Sequence, residues 1–372
     1  MEKILIMANS DIGLYKFRKE LIQELVKEYE VYIALPYGGF VPKLEALGCK
    51  YIEVSINRRG ANPITDVKLL LKYIGIIKKF KPDIALTYTI KPNIYGGFAC
   101  RVTHIPYFAN ITGLGSAVEN GGLMQKAVLF LYKISLKKAI CVFFQNRENE
   151  EFFKKKKIIR SRHRLIPGSG VNLGYYHLLD YPLDDTIYFL FIARIMKEKG
   201  IDQYLDAAKY IKEKYPNTVF QVLGFCEETY ENKLKEMHDN GIIQYYGMQS
   251  DIRKFHKISH CTIHPTYYPE GMSNVLLESA ACGRPVITTN RSGCREIVDN
   301  YVTGYIVEAK NCNDLINKIE TFIKLPYEQK RAMGLAGRAK VECEFDRQIV
   351  VKAYIDEIVK ITNIGVSIGE NI

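Results

Sequence analysis

Four charged side chains stand where their types and spacing could do chemistry. Arg194 and Lys199 lie five residues apart in IARIMKEKG, the first at the end of an apolar run and the second just before Gly200. Glu270 and Glu278 bracket the apolar stretch PEGMSNVLLE, eight residues apart. A guanidinium offers forked donors to phosphate oxygens and a lysine adds a point charge, so the cation pair could hold a diphosphate. The same loop also reads as an ordinary basic turn. Gly271 allows close backbone approach. Ser273 or Asn274 could cap the helix that begins there, aiming the N–H groups of Met272, Ser273 and Asn274 at an anion. Glu270 precedes that helix and Glu278 lies about one turn inside it. The two carboxylates need not share a face, and could reach two polar parts of one elongated ligand. Sugar hydroxyls would supply the donors that a buried carboxylate needs. A cap or an ion pair with a nearby cation is the other reading of Glu278.

These residues need a scaffold, and the hydropathy pattern describes one. Short apolar runs at 3–8, 30–35, 49–56, 82–89, 107–112 and 141–146 alternate with amphipathic stretches at 16–28, around VPKLEALG, and at 66–80, 93–103 and 123–139. This alternation predicts βαβ units on a parallel sheet. A segment rich in Gly, Pro and Asp (167–185) reads as a linker. A second series then starts at TIYFLFIAR (186–194) and continues through TVFQVLG, IIQYYG, CTIHPT and PVITTN, with helices between and a final helical region. The expected organisation is two doubly wound α/β domains, 1–171 and 172–348, and a C-terminal helix over 349–372 that returns toward the first domain. Such sheets bind ligands at the carboxyl ends of their strands, so a cleft between two domains is the expected site.

Composition narrows the class. The chain has 372 residues, 47% of them hydrophobic, more than one core usually holds. The apolar start MEKILIMANS is too short for a signal peptide, and lysines interrupt every long apolar run before the roughly 20 residues of a spanning helix. Nine cysteines are scattered singly with no CxxC, which argues for reduced thiols in a cytosolic protein and against a zinc site. The net charge of +11 is uneven. Residues 1–172 hold 28 Lys and Arg against 14 Asp and Glu; the remainder holds 24 against 27. The sharpest clusters are KKKKIIRSRHR (154–164) and KKFK (78–81). They read either as solvated faces or as a surface for anionic lipid or a phosphorylated partner. No nucleic-acid motif accompanies them, so no nucleic acid is expected.

Arg194 and Lys199, the E-x7-E spacing of Glu270 and Glu278, and the surrounding HPTYYPEGMSNVLLESAACGRPVITTNRSGCREIVDNYVTGYIV together resemble the family 4 (group 1) glycosyltransferases. These are retaining nucleotide-sugar enzymes of the GT-B fold, with two Rossmann-like doubly wound domains facing each other across a cleft. TYTIKPNIYGGFACRVTHIPYFANITGLG (87–115) is similar to the first domain of bacterial enzymes that build capsule, O-antigen or N-glycan repeat units on undecaprenyl diphosphate. The resemblance implies transfer of a hexose or N-acetylhexosamine from a UDP-sugar to a polyprenyl-diphosphate-linked sugar. Arg194 and Lys199 would bind the donor diphosphate and stabilise the departing nucleotide, Glu270 would contact the donor sugar and Glu278 the ribose. Tyr246, Gly247 and Met248 would lie against the base. The loop NSDIGLY, with Asp11 and Gly13, would close over sugar and phosphates. Lys91 and Thr112 would face the acceptor, Thr112 standing where many members carry a histidine. A Gly-Gly pair common in the first loop is also replaced, by Asp11, Ile12 and Gly13.

No D-x-D occurs, which fits an enzyme needing neither metal nor cofactor. In a retaining front-face mechanism the leaving phosphate takes the acceptor proton, so the protein supplies positioning and charge stabilisation. An acceptor in the cytoplasmic leaflet would give the basic half its reason. The 154–164 cluster and the helix 123–139 are then candidates for the anionic acceptor or membrane surface, and the enzyme would be cytoplasmic and peripheral on the inner face. A soluble sugar-phosphate acceptor, or a nucleotide-sugar epimerase on the same architecture, are the rival readings.

Overall fold

The computed structural model describes residues 1–57, 62–115, 118, 121–183, 185–227 and 229–369, with side chains described as far as residue 361 at the C-terminal end. The chain divides into two compact units, Met1–Ser169 with Arg347–Ile372, and Gly170–Asp346.

The first unit holds strands β1 (Lys3–Met7), β2 (Glu30–Leu35), β3 (Lys50–Glu53), β4 (Ile84–Tyr88), β5 (Tyr107–Ile111), β6 (Cys141–Phe144) and β7 (Arg162–Leu165). They form one parallel sheet in the order β3-β2-β1-β4-β5-β6-β7. Its helices are α1 (Asp11–Glu28), α2 (Val41–Glu45), α3 (Pro63–Phe80), α4 (Gly97–Val102), α5 (Gly122–Ser135) and α6 (Arg147–Lys155). Every residue of β4 and β5 is buried, as expected of central strands covered on both faces. α1 turns Leu14, Arg18, Leu21, Ile22 and Leu25 inward at helical spacing. It begins five residues earlier than the apolar pattern predicts, because the Ser10 side chain accepts the Gly13 N–H and caps it.

β7 overlaps the end of the basic cluster 154–164, which the sequence left as a solvated or lipid-facing surface. The cluster has two parts. Lys154–Lys157 are exposed. Arg162 and Arg164 instead reach the buried carboxylate of Glu357 at 3.0 and 3.5 Å. Glu357 belongs to the long C-terminal helix Arg347–Gly369, which packs Val350, Val351, Ala353, Tyr354 and Ile358 into the core of this unit.

The second unit holds β8 (Ile187–Ile192), β9 (Thr218–Leu223), β10 (Gln244–Tyr245), β11 (Cys261–His264), β12 (Val286–Thr289) and β13 (Gly304–Val307). The parallel order is β10-β9-β8-β11-β12-β13. Helices α7 (Ile201–Lys214), α8 (Glu231–Asp239), α9 (Arg253–Ile258), α10 (Asn274–Ala281), α11 (Cys312–Lys324) and α12 (Tyr327–Glu344) complete it, and the C-terminal helix is α13. β13 was not expected from the sequence. In each sheet the strand order reverses once, between β1 and β4 and between β8 and β11. These are the two switch points at which doubly wound sheets bind ligands. Among the described residues no helix is long and apolar enough to cross a membrane, and all nine cysteines are free.

Candidate active site

The second switch point gathers the charged residues. Arg194 and Lys199 follow β8. His264 ends β11, the neighbouring strand, and Glu270 follows it. Gly200 closes the first loop with φ of 77°, and an added Cβ would lie 2.2 Å from the Pro265 carbonyl oxygen. Only glycine allows the two loops to meet so closely. The second loop is braced from β12's side. Ser273 N–H donates to the Gly293 carbonyl at 2.7 Å, and Glu296 accepts the N–H of Gly293 at 2.7 Å. An added Cβ on Gly293 would come within 2.9 Å of both the Glu270 Cβ and the Gly271 carbonyl oxygen.

Lys199 Nζ donates to Glu270 Oε1, and both side chains are largely buried. His264 Nε2 lies 3.9 Å from the same oxygen. Burial alone would raise the Glu270 pKa, but the Lys199 charge and the His264 contact outweigh it and hold it at about 2. His264 is pushed down by burial first, and its Nδ1 meets no partner. Arg194 Nη1 donates to Glu227 Oε2 at 2.7 Å. Arg194 and Lys199 also lie over one ring, that of Tyr268, at 5.2 and 4.7 Å from its centroid. The outcome is two cations on one strand edge, Arg194 paired with Glu227 and Lys199 with Glu270, whose remaining donors could turn to phosphate oxygens.

The remaining expectations fare differently. Ser273 occupies the N-cap position of α10, but its side chain makes no capping bond. Its N–H is held by Gly293, so the anion site expected at this helix start loses one donor. The Asn274 Oδ1 is buried without a partner, and the Met272 side chain belongs to the core. Glu278 is half-buried inside α10 and hydrogen-bonds Tyr176, whose hydroxyl burial and this carboxylate keep protonated. Tyr246, Gly247 and Met248 form a turn at the end of β10. The Gly247 carbonyl accepts the Gly224 N–H at 2.9 Å, and Met248 is exposed.

The residues expected from the first unit are more committed than the sequence suggested. Asp11 is buried and accepts the Phe40 N–H at 2.9 Å, so it braces a loop. The Gly13 N–H belongs to the Ser10 cap. Lys91 is paired with Asp66 at 2.6 Å, and Tyr95 donates to the same carboxylate at 2.8 Å. Thr112 is partly buried just past β5. His264, Tyr268, Glu227 and Tyr176 were not singled out from sequence. The first two lie within the quoted HPTYYPEG stretch, so their place beside Glu270 was open to reading; Glu227 and Tyr176 carry no local signal.

Comparison with known proteins points to a family. Residues 181–340 match the family described as glycosyl transferases group 1, and residues 3–146 match glycosyl transferase 4-like. A Campylobacter jejuni protein named N,N'-diacetylbacillosaminyl-diphospho-undecaprenol alpha-1,3-N-acetylgalactosaminyltransferase is 27% identical over 380 residues, covering 96% of this chain and 99% of its own. An Escherichia coli protein named UDP-Gal:alpha-D-GlcNAc-diphosphoundecaprenol alpha-1,3-galactosyltransferase is 27% identical over 281 residues, 70% of this chain and 71% of its own. The crystal structure of Anabaena HepE in complex with UDP and glucose superimposes with a TM-score of 0.77 at 18% identity, covering 97% of this chain and all of the other.

Proposed function

Because the chain belongs to the group 1 glycosyl transferases, we propose that it moves a hexose or N-acetylhexosamine from a UDP-sugar to a sugar carried on polyprenyl diphosphate, with retention at the anomeric carbon and without a metal ion. The observation that carries this reading is the meeting of Arg194, Lys199 and Glu270 at the switch point of the second sheet. The names of the C. jejuni and E. coli relatives support the acceptor class.

As the bond from the anomeric carbon to the diphosphate breaks, negative charge grows on the nucleotide. Arg194 and Lys199 oppose it, and Tyr268 beneath both fixes their separation. Glu270 stays ionised at working pH, so it accepts from sugar hydroxyls and steadies the positive charge that develops on the ring. Glu278 and Tyr176 form a polar pair suited to the ribose. The leaving phosphate accepts the acceptor's hydroxyl proton, so no protein base is required. Assembly on a lipid carrier places the enzyme at the inner face of the cytoplasmic membrane. α5 fits that placement, since Leu123, Met124 and Phe130 are exposed among Lys126 and Lys133.

The test is a screen of UDP- and GDP-sugars followed by transfer onto a short-chain polyprenyl-diphosphate sugar, with the product anomer read by NMR and the assay repeated in a chelator. Expected are an α-linked product from an α-linked donor and an undiminished rate. An inverted product, or activity lost with the chelator, overturns those parts of the reading. Flotation with anionic and neutral vesicles tests attachment, which Phe130→Asp is expected to weaken.

A further inference from the structure

The first unit contains a buried cation that the donor chemistry does not use. Arg18 on α1 is 4% exposed. Its guanidinium lies 5.1 Å from the ring centre of Tyr88 and 5.8 Å from that of Tyr354. Nη1 donates to the Phe17 carbonyl at 2.7 Å, the Tyr88 and Tyr354 hydroxyls are the polar side-chain groups beside it, Nε meets no acceptor, and no carboxylate pairs with the group among the described residues. Arg284 in the second unit is the useful contrast. It is equally buried, but its N–H groups reach the carbonyls of His256, Leu179, Gly283, Asp180 and Lys257. A buried guanidinium can be satisfied by backbone alone, and Arg18 is not. Two ring faces offset only part of the cost of taking a cation out of water.

Two more buried polar atoms, next to one another in sequence, make no hydrogen bond of good geometry: the Tyr88 hydroxyl, whose polar neighbours are Arg18 and Tyr354, and the Thr89 Oγ1. Tyr88 ends β4 and Thr89 follows it, at the switch point between β1 and β4. Thr89 has φ of 73°, a left-handed conformation that a β-branched residue avoids. Unsatisfied donors beside a strained residue on a ligand-binding edge require an explanation beyond packing. Lys91, the cation expected here from sequence, is paired with Asp66 at 2.6 Å.

We infer that Arg18, Tyr88 and Thr89 form a phosphoryl-binding site in the first unit that takes the diphosphate of the acceptor. Arg18 supplies the charge and the two hydroxyls supply donors. Thr89 is the partly exposed member, so the ligand enters from the strand edge. The inference rests on the reading of the acceptor as a polyprenyl diphosphate.

The experiment uses the full chain and two calorimetric titrations. UDP is added first; inorganic pyrophosphate or geranyl diphosphate is then added at saturating UDP. The wild type is expected to bind both probes in the second titration. Arg18→Gln and Thr89→Gly should each weaken both by tenfold or more and leave UDP binding unchanged. Tyr88→Phe should weaken them severalfold. Thr89→Gly relieves the backbone strain and Tyr88→Phe keeps the packing, so these two decide the matter if Arg18→Gln does not fold. Wild-type affinity in the variants, or no second binding event in the wild type, overturns the inference. So does binding of geranyl diphosphate that Arg18→Gln leaves intact, which would place recognition in the hydrocarbon. Failure of UDP to bind counts against the donor reading alone, since the second titration is then run without it.

Discussion

Lys199 and Glu270 neutralise each other in a nearly dry setting, so removing either leaves the other charge stranded. Lys199→Ala and Glu270→Ala are each expected to lower kcat/KM by more than a hundredfold. Each should also destabilise the fold by about 3–5 kcal/mol, the usual cost of an uncompensated buried charge. The double variant should regain much of the stability and none of the activity, and melting temperatures beside kinetics for the four-member cycle will show it. A second residue-scale prediction concerns acid. His256 is fully buried, neither ring nitrogen has a partner, and burial with the nearby Arg284 charge lowers its pKa to about 3. The unfolded chain binds this proton near pH 6.5, so its share of stability is present above that pH and falls as the pH drops toward 3, by at most about 1.4 kcal/mol per unit. Urea midpoints measured from pH 7 to 4 should fall less steeply in His256→Leu. At this scale local spacing singled out Arg194, Lys199 and Glu270, which the structure brings together, and Glu278, which it sets against Tyr176 instead. His264 and Tyr268 become part of the site only when β8 and β11 lie side by side, and Glu227 only through the backbone pairing of Ile195 with Cys226.

The loops after β8 and β11 hold the site, and both depend on tight backbone approach. Gly200→Ala places a methyl against the Pro265 carbonyl in a conformation that alanine resists, so a loss of at least about 2 kcal/mol is expected. A larger proportional loss should appear in kcat than in the binding of UDP, because the cations shift relative to Glu270; stopped assays beside UDP titration separate the two. Equal loss in both would show that the turn matters only for holding the nucleotide. Central strands were easily read because burial on both faces makes them continuous apolar runs. β7 was missed because it is an edge strand, RHRL, whose arginines pair with Glu357 on a helix nearly 200 residues away. β13 was missed because GYIV is short and follows a turn, and its pairing with β12 decides its state.

Across the whole molecule, the first unit is discontinuous. Arg347 returns the chain to it by donating to the Lys16 carbonyl and to Glu20, both at 2.9 Å, and to the Ser169 carbonyl at 3.3 Å. α13 then fills the core, with Tyr354 stacked on Phe143 at 4.4 Å. Truncation after Asp346 should therefore destabilise the unit begun by Met1 while UDP binding by Gly170–Asp346 persists; calorimetric melting with and without UDP will show a ligand-responsive transition and a weakened or missing second one. The first border, expected after residue 171 and seen after Ser169, falls in the segment rich in Gly, Pro and Asp. The basic excess was visible too, but its partial use in fastening α13 was not, since that depends on which acidic residues a distant helix brings.

The same discontinuity sets an order of events on the ribosome. Met1–Ser169 cannot close its hydrophobic core until Arg347 and the residues that follow it have left the ribosome. Gly170–Asp346 can finish folding while Met1–Ser169 still waits, with Tyr88 and Phe143 lacking the Tyr354 ring that packs against them. Synthesis that stops before Arg347 leaves Met1–Ser169 without its closing helix, and that unit is what a holding chaperone or a protease would meet.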